Sequence, residues 1–358
     1  MPKTPSHRKK KLSRLIDIAG AAGVSLSTVD RVLNERETVS AAAREKVIKA
    51  ARDMGARRLL PQTYRPLTHF DLILPKNESP FFVRLRAAFH DAAAMLDRSV
   101  IVHRLTLAEE DTAGFVRLIN ETPYPRRGMI IAVPDRQEIR ASIARAQAGG
   151  QKVVMIVTDL PHLAGVDYLG TDNYRAGATA AYLLGQSCRS SAGRVVVLAA
   201  HHDWSGHVQR TAGFCATMER DFPHLGCEII ETDTRDDSIR CERAVRQAFT
   251  KGPLAGIYNA GAGSIGIMNA LKDVSPRPCW IGHDISDDHI AYLRDHRMDY
   301  VIDQNPQGQA LRSLQTLLYR CGLIETIPDL SPTELRIYTR ENLPTLPPVA
   351  AMLPGSRG

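Results

Sequence analysis

No run of about 18 apolar residues occurs anywhere in this 358-residue chain, which excludes a membrane-spanning helix. The basic N-terminal stretch, residues 1–20, lacks both the apolar centre and the small-residue cleavage site of an export signal, and the expectation is a cytoplasmic protein with no membrane partner. The six cysteines (Cys188, Cys215, Cys227, Cys241, Cys279 and Cys321) contain no CxxC pair, which argues for inert thiols in a reducing compartment. The 12 histidines are equally scattered. His201, His202 and Asp203 lack the i,i+4 partners of a helical zinc site, so neither a metal nor any other cofactor is expected. No Ser-His-Asp arrangement or carboxylate pair argues for hydrolysis, and the chain does not read as an enzyme. At 44% hydrophobic and 24% charged it reads as an ordinary globular protein of two or three domains.

What is present is unevenly placed. Residues 1–65 hold 15 Lys and Arg against 6 Asp and Glu, a balance of +9 in a chain whose total is +7. Everything after residue 65 is therefore slightly acidic. Each phosphate neutralised by a cation releases condensed counterions, so such a segment suits a nucleic-acid backbone. A basic tail kept for solubility is the duller account of the same charges.

Residues 1–11, with the run Arg8-Lys9-Lys10-Lys11, read as a flexible arm. Three short helical patterns fill 12–55: Leu15–Ala22 closed by Gly23, Ser25 to Asn34, and Ala41–Met54 between an N-cap at Ser40 and a terminating Gly55. A linker occupies 56–68. From Phe70 the texture changes to strand candidates at Phe70–Leu74, Val100–Val102, Met129–Ala132, Val153–Val157, Val195–Leu198, Glu228–Ile230, Gly256–Tyr258, Trp280–Gly282 and Tyr300–Ile302. They alternate with helical stretches such as Phe82–Asp97, Ala176–Gln186, Val208–Arg220 and Ile239–Phe249. That alternation predicts parallel sheets covered on both faces, and the number of strands favours two lobes over one sheet. The fold class is thus α/β, an all-α headpiece ahead of a two-lobed core. The tail at 343–358, with Pro344, Pro347, Pro348 and Pro354, reads as extended or disordered.

Within LIDIAGAAGVSLSTVDRVLN (Leu15–Asn34), Ala19, Val24, Val29 and Leu33 fall where two short helices meeting at a sharp turn need small or apolar side chains. The full string from Arg14 to Gly55 resembles the headpiece of lactose-repressor (LacI-type) regulators, whose pattern runs D-V/I-A-x-x-A-G-V-S-x-x-T-V-S-R-V-L-N, then V-S and a third helix. Asp30 departs from it, standing where the family usually has Ser. The resemblance implies a helix-turn-helix on double-stranded DNA, with Leu26, Ser27 and Arg31 reading base edges in the major groove and Arg31 suited to a bidentate contact with guanine. It places Ser25 and Thr28 on phosphate oxygens and Asn34 at the same interface. Asp30 is expected to face bases or to pair with Arg31. The family's hinge helix, which wedges a leucine into the minor groove, corresponds here to Ala56–Pro66. That stretch lacks the Pro-x-x-x-Ala-x-x-Leu pattern and carries Pro61, so Arg57 and Leu59, with Leu60 beside it, stand either as hinge contacts or as part of a plain linker.

Residues 69–342 resemble the periplasmic sugar-binding-protein fold, nearest its ribose-type branch. The motifs are Ser79-Pro80-Phe81-Phe82, Thr158-Asp159, Arg210 with Gly213-Phe214, Asn259, Gly282-His283-Asp284 and Asp303-Gln304-Asn305-Pro306. The implied first lobe runs over about 69–170 plus 303–330, and the second over about 171–302 plus the chain end. All these motifs follow strand patterns or open helices, and ligands of open α/β sheets bind beyond the carboxyl ends of strands. For a sugar or polyol, Phe81 and Phe82 would supply a ring platform, Trp204 a second ring, and Asp159, Arg210, Asn259, Asp284 and Gln304 the polar contacts. Each has a plainer account, Phe82 as core, Asp159 as a loop carboxylate and Asn259 as a turn residue. Thr171-Asp172-Asn173 reads as a helix N-cap at the lobe crossover.

Gly261–Gly266 is a literal GxGxxG after a strand, with Asp284 about 20 residues on, the spacing of a dinucleotide fingerprint. An NAD(P)-dependent oxidoreductase is therefore one alternative, although no Tyr-x-x-x-Lys follows. A sugar-binding module without regulation is the other. The expected protein is a homodimeric, or tetrameric, transcriptional repressor on a pseudo-palindromic operator, controlled by a sugar or polyol.

Overall fold

The computed structural model describes residues 7–36, 39–56, 59–60, 67–161, 163–189, 193–199, 204–230 and 234–345. Arg57, Pro61, the His201-His202-Asp203 cluster and most of the proline-rich tail lie outside them. Three helices build the N-terminal unit: α1 (His7–Ala22), α2 (Leu26–Leu33) and α3 (Ala41–Asp53). Ser25 and Ser40 sit in extended backbone ahead of α2 and α3, and their hydroxyls accept from the Thr28 and Ala43 amides. Each bond satisfies an amide that a first helical turn leaves unpaired. Gly23 and Gly55 take left-handed φ angles of +63° and +65°, which a Cβ would strain.

The apolar sides of the three helices meet in one cluster around Ile18, Val29, Val32, Val47 and Ala51. Two expectations change here. The arm read at 1–11 is helical from His7 onward, because residues 7–15 contain no glycine or proline to stop α1. Leu60, a candidate DNA wedge, is 1% exposed inside this cluster, and Leu59 is half-buried against it. Their side chains close the headpiece core instead of projecting from a linker.

The remaining chain is α/β. A first sheet holds β1 (Thr68–Pro75), β2 (Val100–Leu107), β3 (Arg126–Ile131), β4 (Lys152–Met155) and β5 (Asp167–Tyr168) in the order β2-β1-β3-β4-β5. Its connections carry α4 (Pro80–Ala94), α5 (Thr112–Asn120) and α6 (Gln137–Ala148). A second sheet holds β6 (Gly193–Leu198), β7 (Leu225–Ile230), β8 (Leu254–Asn259), β9 (Cys279–His283), β10 (Tyr300–Asp303) and β11 (Arg336–Tyr338) in the order β11-β10-β9-β8-β6-β7. With it go α7 (Asn173–Ser187), α8 (Ser205–Asp221), α9 (Ser238–Thr250), α10 (Ser264–Leu271) and α11 (Asp287–Arg294). After β10 the chain returns to the first lobe, where α12 (Pro306–Arg320) packs on α4, β3 and β4.

The second sheet is parallel except at its edge, where β11 runs antiparallel to β10. β5 and β11 are short strands absent from the sequence reading, because two or three residues leave no apolar run to detect. The period-2 logic of a strand shows in β6: Val195 and Val197 face Leu184, Phe214 and Met218, while Val196 and Leu198 face Val245 and Ile267. On the first of those faces α7 and α8 cross almost backbone to backbone. A Cβ on Gly177 would stand 1.9 Å from the Arg210 carbonyl oxygen, and one on Gly213 would stand 2.0 Å from that of Tyr174. In the first lobe a buried ion pair joins Arg126 to Asp71 at 2.6 Å, with the Tyr124 hydroxyl donating to the same carboxylate at 2.7 Å. Burial and that carboxylate push the Tyr124 phenol up to about 12.

Candidate functional site

On α2 the inward side is Val29 and Val32, and Leu26, Ser27, Arg31 and Asn34 are exposed. Ser25 Oγ lies 2.8 Å from Thr28 Oγ1 and 3.0 Å from Ser27 Oγ, so three hydroxyls gather at the N-terminus of this helix. Asp30 does not pair with Arg31. Its carboxylate accepts from Asn34 Nδ2 at 2.9 Å and lies 3.7 Å from Arg36 Nη1. The reason is helical geometry: residue 34 is one turn on and on the same side as Asp30, whereas residue 31 is turned about 100° away. Arg31 thus has no acidic partner among the described residues, while the Asn34 amide is spent within its own helix.

The carboxyl ends of the two sheets enclose a cavity of about 510 Å³. From the first lobe it is lined by Phe81 and Phe82 beyond β1, Glu109 beyond β2 and Thr158 beyond β4. From the second come Trp204, His207 and Arg210 beyond β6, Asp236 beyond β7, and the glycine turn 261–263 beyond β8. His283, Asp284 and Gln304, at the ends of β9 and β10, complete the wall. Phe81 and Phe82 occupy the first turn of α4 with ring centroids 5.3 Å apart, and Trp204 meets Phe82 edge-on at 6.3 Å. The indole Nε1 donates across the cleft to Glu109 Oε2 at 3.2 Å, while Glu109 Oε1 accepts from Asn77 Nδ2 at 2.8 Å.

Arg210 is 3% exposed and is aimed by two bonds, Nε to Asn173 Oδ1 at 2.8 Å and Nη1 to the Ala260 carbonyl at 2.9 Å. Asp284 accepts from the Gln304 side chain at 2.7 Å and from its amide at 3.2 Å. Burial, with the Asp303 carboxylate close by, raises the Asp284 carboxyl to about 6. His289 donates from Nδ1 to the Asp284 carbonyl at 2.8 Å, which leaves Nε2 to accept from Ser264 Oγ at 2.7 Å in the neutral ring. Burial and nearby Arg210 hold His283 neutral as well, its Nε2 within 2.8 Å of the Tyr258 hydroxyl. Three buried atoms of the wall, Thr158 Oγ1, His283 Nδ1 and Gln304 Oε1, have no hydrogen-bond partner among the described residues. An unpaired buried polar atom costs roughly 1–3 kcal/mol, so three of them around one cavity mark a place built to meet polar groups of a ligand.

The backbone is strained at the same place. Val157, Asp284 and Asn305 all take left-handed φ, at +65°, +62° and +51°, one or two residues after β4, β9 and β10 end. For a β-branched valine this is a true outlier. It is held by the Gln309 side chain on its amide at 3.2 Å, and it ends β4 at Met155, two residues short of the expected strand. Such strain collects where a surrounding scaffold must present groups to a ligand. Behind the wall, Arg84 on α4 reaches from the first lobe to the Asp303 carboxylate and, at 3.1 Å, to the Ile285 carbonyl of the second.

The cavity brings together Phe81, Phe82, Trp204, Arg210, Asp284 and Gln304. Two expected contacts are corrected. Asn259 is fully buried outside the cavity lining, its Nδ2 donating to the Ala262 carbonyl at 2.9 Å, so it shapes the glycine turn. Asp159 stands just off the cavity, where burial raises its carboxyl, and its neighbour Thr158 takes the wall position. Glu109, His207, Asp236 and His283 were not singled out as contacts. Their one signal is position: Glu109, Asp236 and His283 lie at or within six residues of a strand's carboxyl end, and His207 opens the helix that follows β6.

Two of the three GxGxxG glycines have a packing role. A Cβ on Gly266 would lie 1.7 Å from the Ser238 carbonyl oxygen, and Gly263, at φ +86°, would press on Cys241 Sγ at 2.5 Å. They let α10 approach α9. Asp172 caps α7 through the Arg175 amide. Among the described residues no three His, Cys, Asp or Glu side chains gather as metal ligands, and no helix is long and apolar enough to cross a membrane.

Comparison with known proteins divides the chain as the structure does. Residues 70–320 match the family described as periplasmic binding protein domain, and residues 14–56 match that of bacterial regulatory proteins, lacI family. The sucrose operon repressor of Escherichia coli is 33% identical over 112 residues, 30% of this chain and 34% of that protein. The ribose operon repressor of Halalkalibacterium halodurans is 32% identical over 97 residues, 25% of this chain and 28% of that one. These matches span about a third or less of the relatives' own length. A solute-binding protein from Burkholderia graminis in complex with D-arabinose superposes with a TM-score of 0.67 at 20% identity, covering 77% of this chain and 96% of its own. At that identity the likeness is one of fold.

Proposed function

The chain belongs to the periplasmic binding protein domain family through residues 70–320, with a lacI-family headpiece at 14–56, and from that premise we propose that it is a DNA-binding transcriptional regulator, in its simplest form a repressor, whose operator affinity is set by a sugar or polyol. The observation that carries the reading is the union in one chain of an exposed α2 face and a cleft whose rings and unpartnered polar atoms suit a hydroxylated ligand. Aromatic faces cover the C–H side of a sugar, while Arg210, Asp284 and Gln304 bridge its hydroxyls. On DNA, Arg31 offers its guanidinium to a guanine edge, Leu26 and Ser27 reach neighbouring bases, and Ser25 and Thr28 set the register on phosphate. Arg57, outside the described residues, adds a phosphate contact.

The regulator works as a cytoplasmic homodimer, because a pseudo-palindromic operator needs one headpiece per half-site. Ligand shifts a pre-existing equilibrium between DNA-competent and DNA-incompetent forms in proportion to its differential affinity for the two. No chemical conversion of the ligand enters this scheme, in keeping with matched relatives that are named as regulators. Genomic footprinting of the full chain supplies an operator, and gel shifts with Arg31→Ala test it. Binding without sequence selectivity is expected for the variant, and unchanged selectivity would remove Arg31 from the interface. A neutral-sugar panel that never alters the wild-type gel shift or melting temperature would refute the effector half of the proposal.

A further inference from the structure

The turn between β8 and α10 has the outline of an anion cradle, with glycines ahead of a helix N-terminus in the wall of the cleft. Two amides of the turn are already engaged. The Ala262 amide donates to Asp236 Oδ1 at 2.7 Å, and the Gly261 amide to Asn259 Oδ1 at 3.4 Å. Asp236 is carried there by two successive left-handed residues, Arg235 at φ +47° and Asp236 itself at +57°. Its carbonyl oxygen would stand 3.3 Å from a Cβ on Gly263. Two non-glycine residues in that region persist only where surrounding packing holds them, so the carboxylate is presented to α10 by a built arrangement.

A carboxylate at the positive end of a helix dipole occupies the seat a phosphate would take. The rest of the wall is close to balanced in charge, so Asp236 itself sets the sign at this end. Asp284 and Asp288 lie on the neighbouring strand end and helix and Glu109 lines the wall from the first lobe, while the Glu78 carboxylate is paired with Arg86 at 3.0 Å. The cations of the same wall are Lys76, Arg210 and Arg235.

We propose that Asp236 is a built-in anion that fills the α10 end of the cleft and makes it selective for uncharged polyols over phosphorylated ones. This rests on the reading of the cleft as a polyol site, but phosphate exclusion is measurable without it. The experiment uses the full chain and follows thermal unfolding and calorimetric titration with inorganic phosphate, and with two matched pairs: D-ribose and D-ribose 5-phosphate, D-fructose and D-fructose 6-phosphate. Wild-type protein is expected to show no saturable stabilisation by phosphate or by either phosphate ester beyond that given by the neutral partner. Asp236→Gly frees the Ala262 amide, removes the charge and suits the left-handed backbone, and is expected to gain roughly tenfold in phosphate affinity. Asp236→Asn keeps an oxygen on that amide and is expected to gain far less. Saturable phosphate binding by the wild type, or equal phosphate affinity in all three proteins, overturns the assignment. A gain in Asp236→Asn as large as in Asp236→Gly overturns it too, since bulk charge alone would then explain the exclusion. If no neutral sugar stabilises any of the three, the polyol reading fails while the phosphate titrations still decide the role of Asp236.

Discussion

Asp284→Asn should make the unliganded protein more stable and the ligand complex weaker. The Asp284 carboxyl stands at about 6, against an ordinary value near 3.8, because burial and the Asp303 carboxylate penalise its charge. With its folded value raised, the folded state binds more protons than the unfolded state between pH 4 and 6. Stability therefore falls as pH rises through that window and stays lower above it. A tenfold difference in proton affinity between the two states is worth about 1.4 kcal/mol, so the charged carboxylate costs up to about 3 kcal/mol at pH 7.5. Asparagine removes that cost, accepts the left-handed φ of +62°, and can keep the bond from Gln304 Nε2. It loses the second bond, from the Gln304 amide, which offsets about 1 kcal/mol. The net gain is about 2 kcal/mol, a rise in melting temperature of roughly 4 °C for a domain of this size. Differential scanning calorimetry at pH 7.5 and pH 4.5 is the assay. The gain should shrink at pH 4.5, where the wild-type carboxyl is largely protonated. An unchanged or lower melting temperature at pH 7.5, or a gain undiminished at pH 4.5, refutes the account of Asp284 as a destabilised charge held for a ligand.

Gly177→Ala puts a Cβ 1.9 Å from the Arg210 carbonyl oxygen and forces α7 and α8 apart. Urea unfolding should register a loss of about 3 kcal/mol, with weaker ligand binding because the displaced residue is Arg210. Arg126→Met strands the Asp71 carboxylate in the first lobe and should cost about 3–5 kcal/mol by the same measurement, most of it recovered in the double variant with Asp71→Leu. Trp204→Phe keeps a ring but loses the bond to Glu109, so stopped-flow measurements should show several-fold faster ligand release with little change in melting temperature.

The headpiece was legible because its signals are local: Ser25 and Ser40 cap helices three residues away, and Gly23 and Gly55 mark turns within the motif itself. Phe81, Arg210, Asp284 and Gln304 were legible because their short motifs resemble those of sugar-binding proteins, and for Phe81, Asp284 and Gln304 the end of an apolar strand run marks the place as well. What stayed hidden depends on pairs distant in the chain. Glu109 reads as a loop carboxylate until Trp204, 95 residues on, is seen to donate to it. Arg84 reads as a surface charge on an amphipathic helix, and its burial follows only from Asp303, 219 positions away. Asn259 misled for the opposite reason. It sits at a strand end like the residues that line the cavity, but a three-residue bond to the Ala262 carbonyl turns its amide inward. Asp30 erred by angle, since adjacent helix residues diverge and its partners are Asn34 and Arg36.

Arg84 has a further consequence when the cleft is regarded as a calliper. It stands one helical turn below Phe81 on α4 and is bound to the ends of β9 and β10 through Ile285 and Asp303, directly beside Asp284 and Gln304. The spacing between the ring platform and that polar edge is therefore set by a single guanidinium gripping both lobes. It forms a fixed jaw. The opposite jaw, Trp204, hangs on one hydrogen bond to Glu109 and on the Ser205 hydroxyl to the Asp159 carbonyl. For the sugar or polyol proposed above, ring size would then be gauged on the Trp204 side alone, so substitutions there should change which one fits, while substitutions at Arg84 should weaken binding of all of them equally.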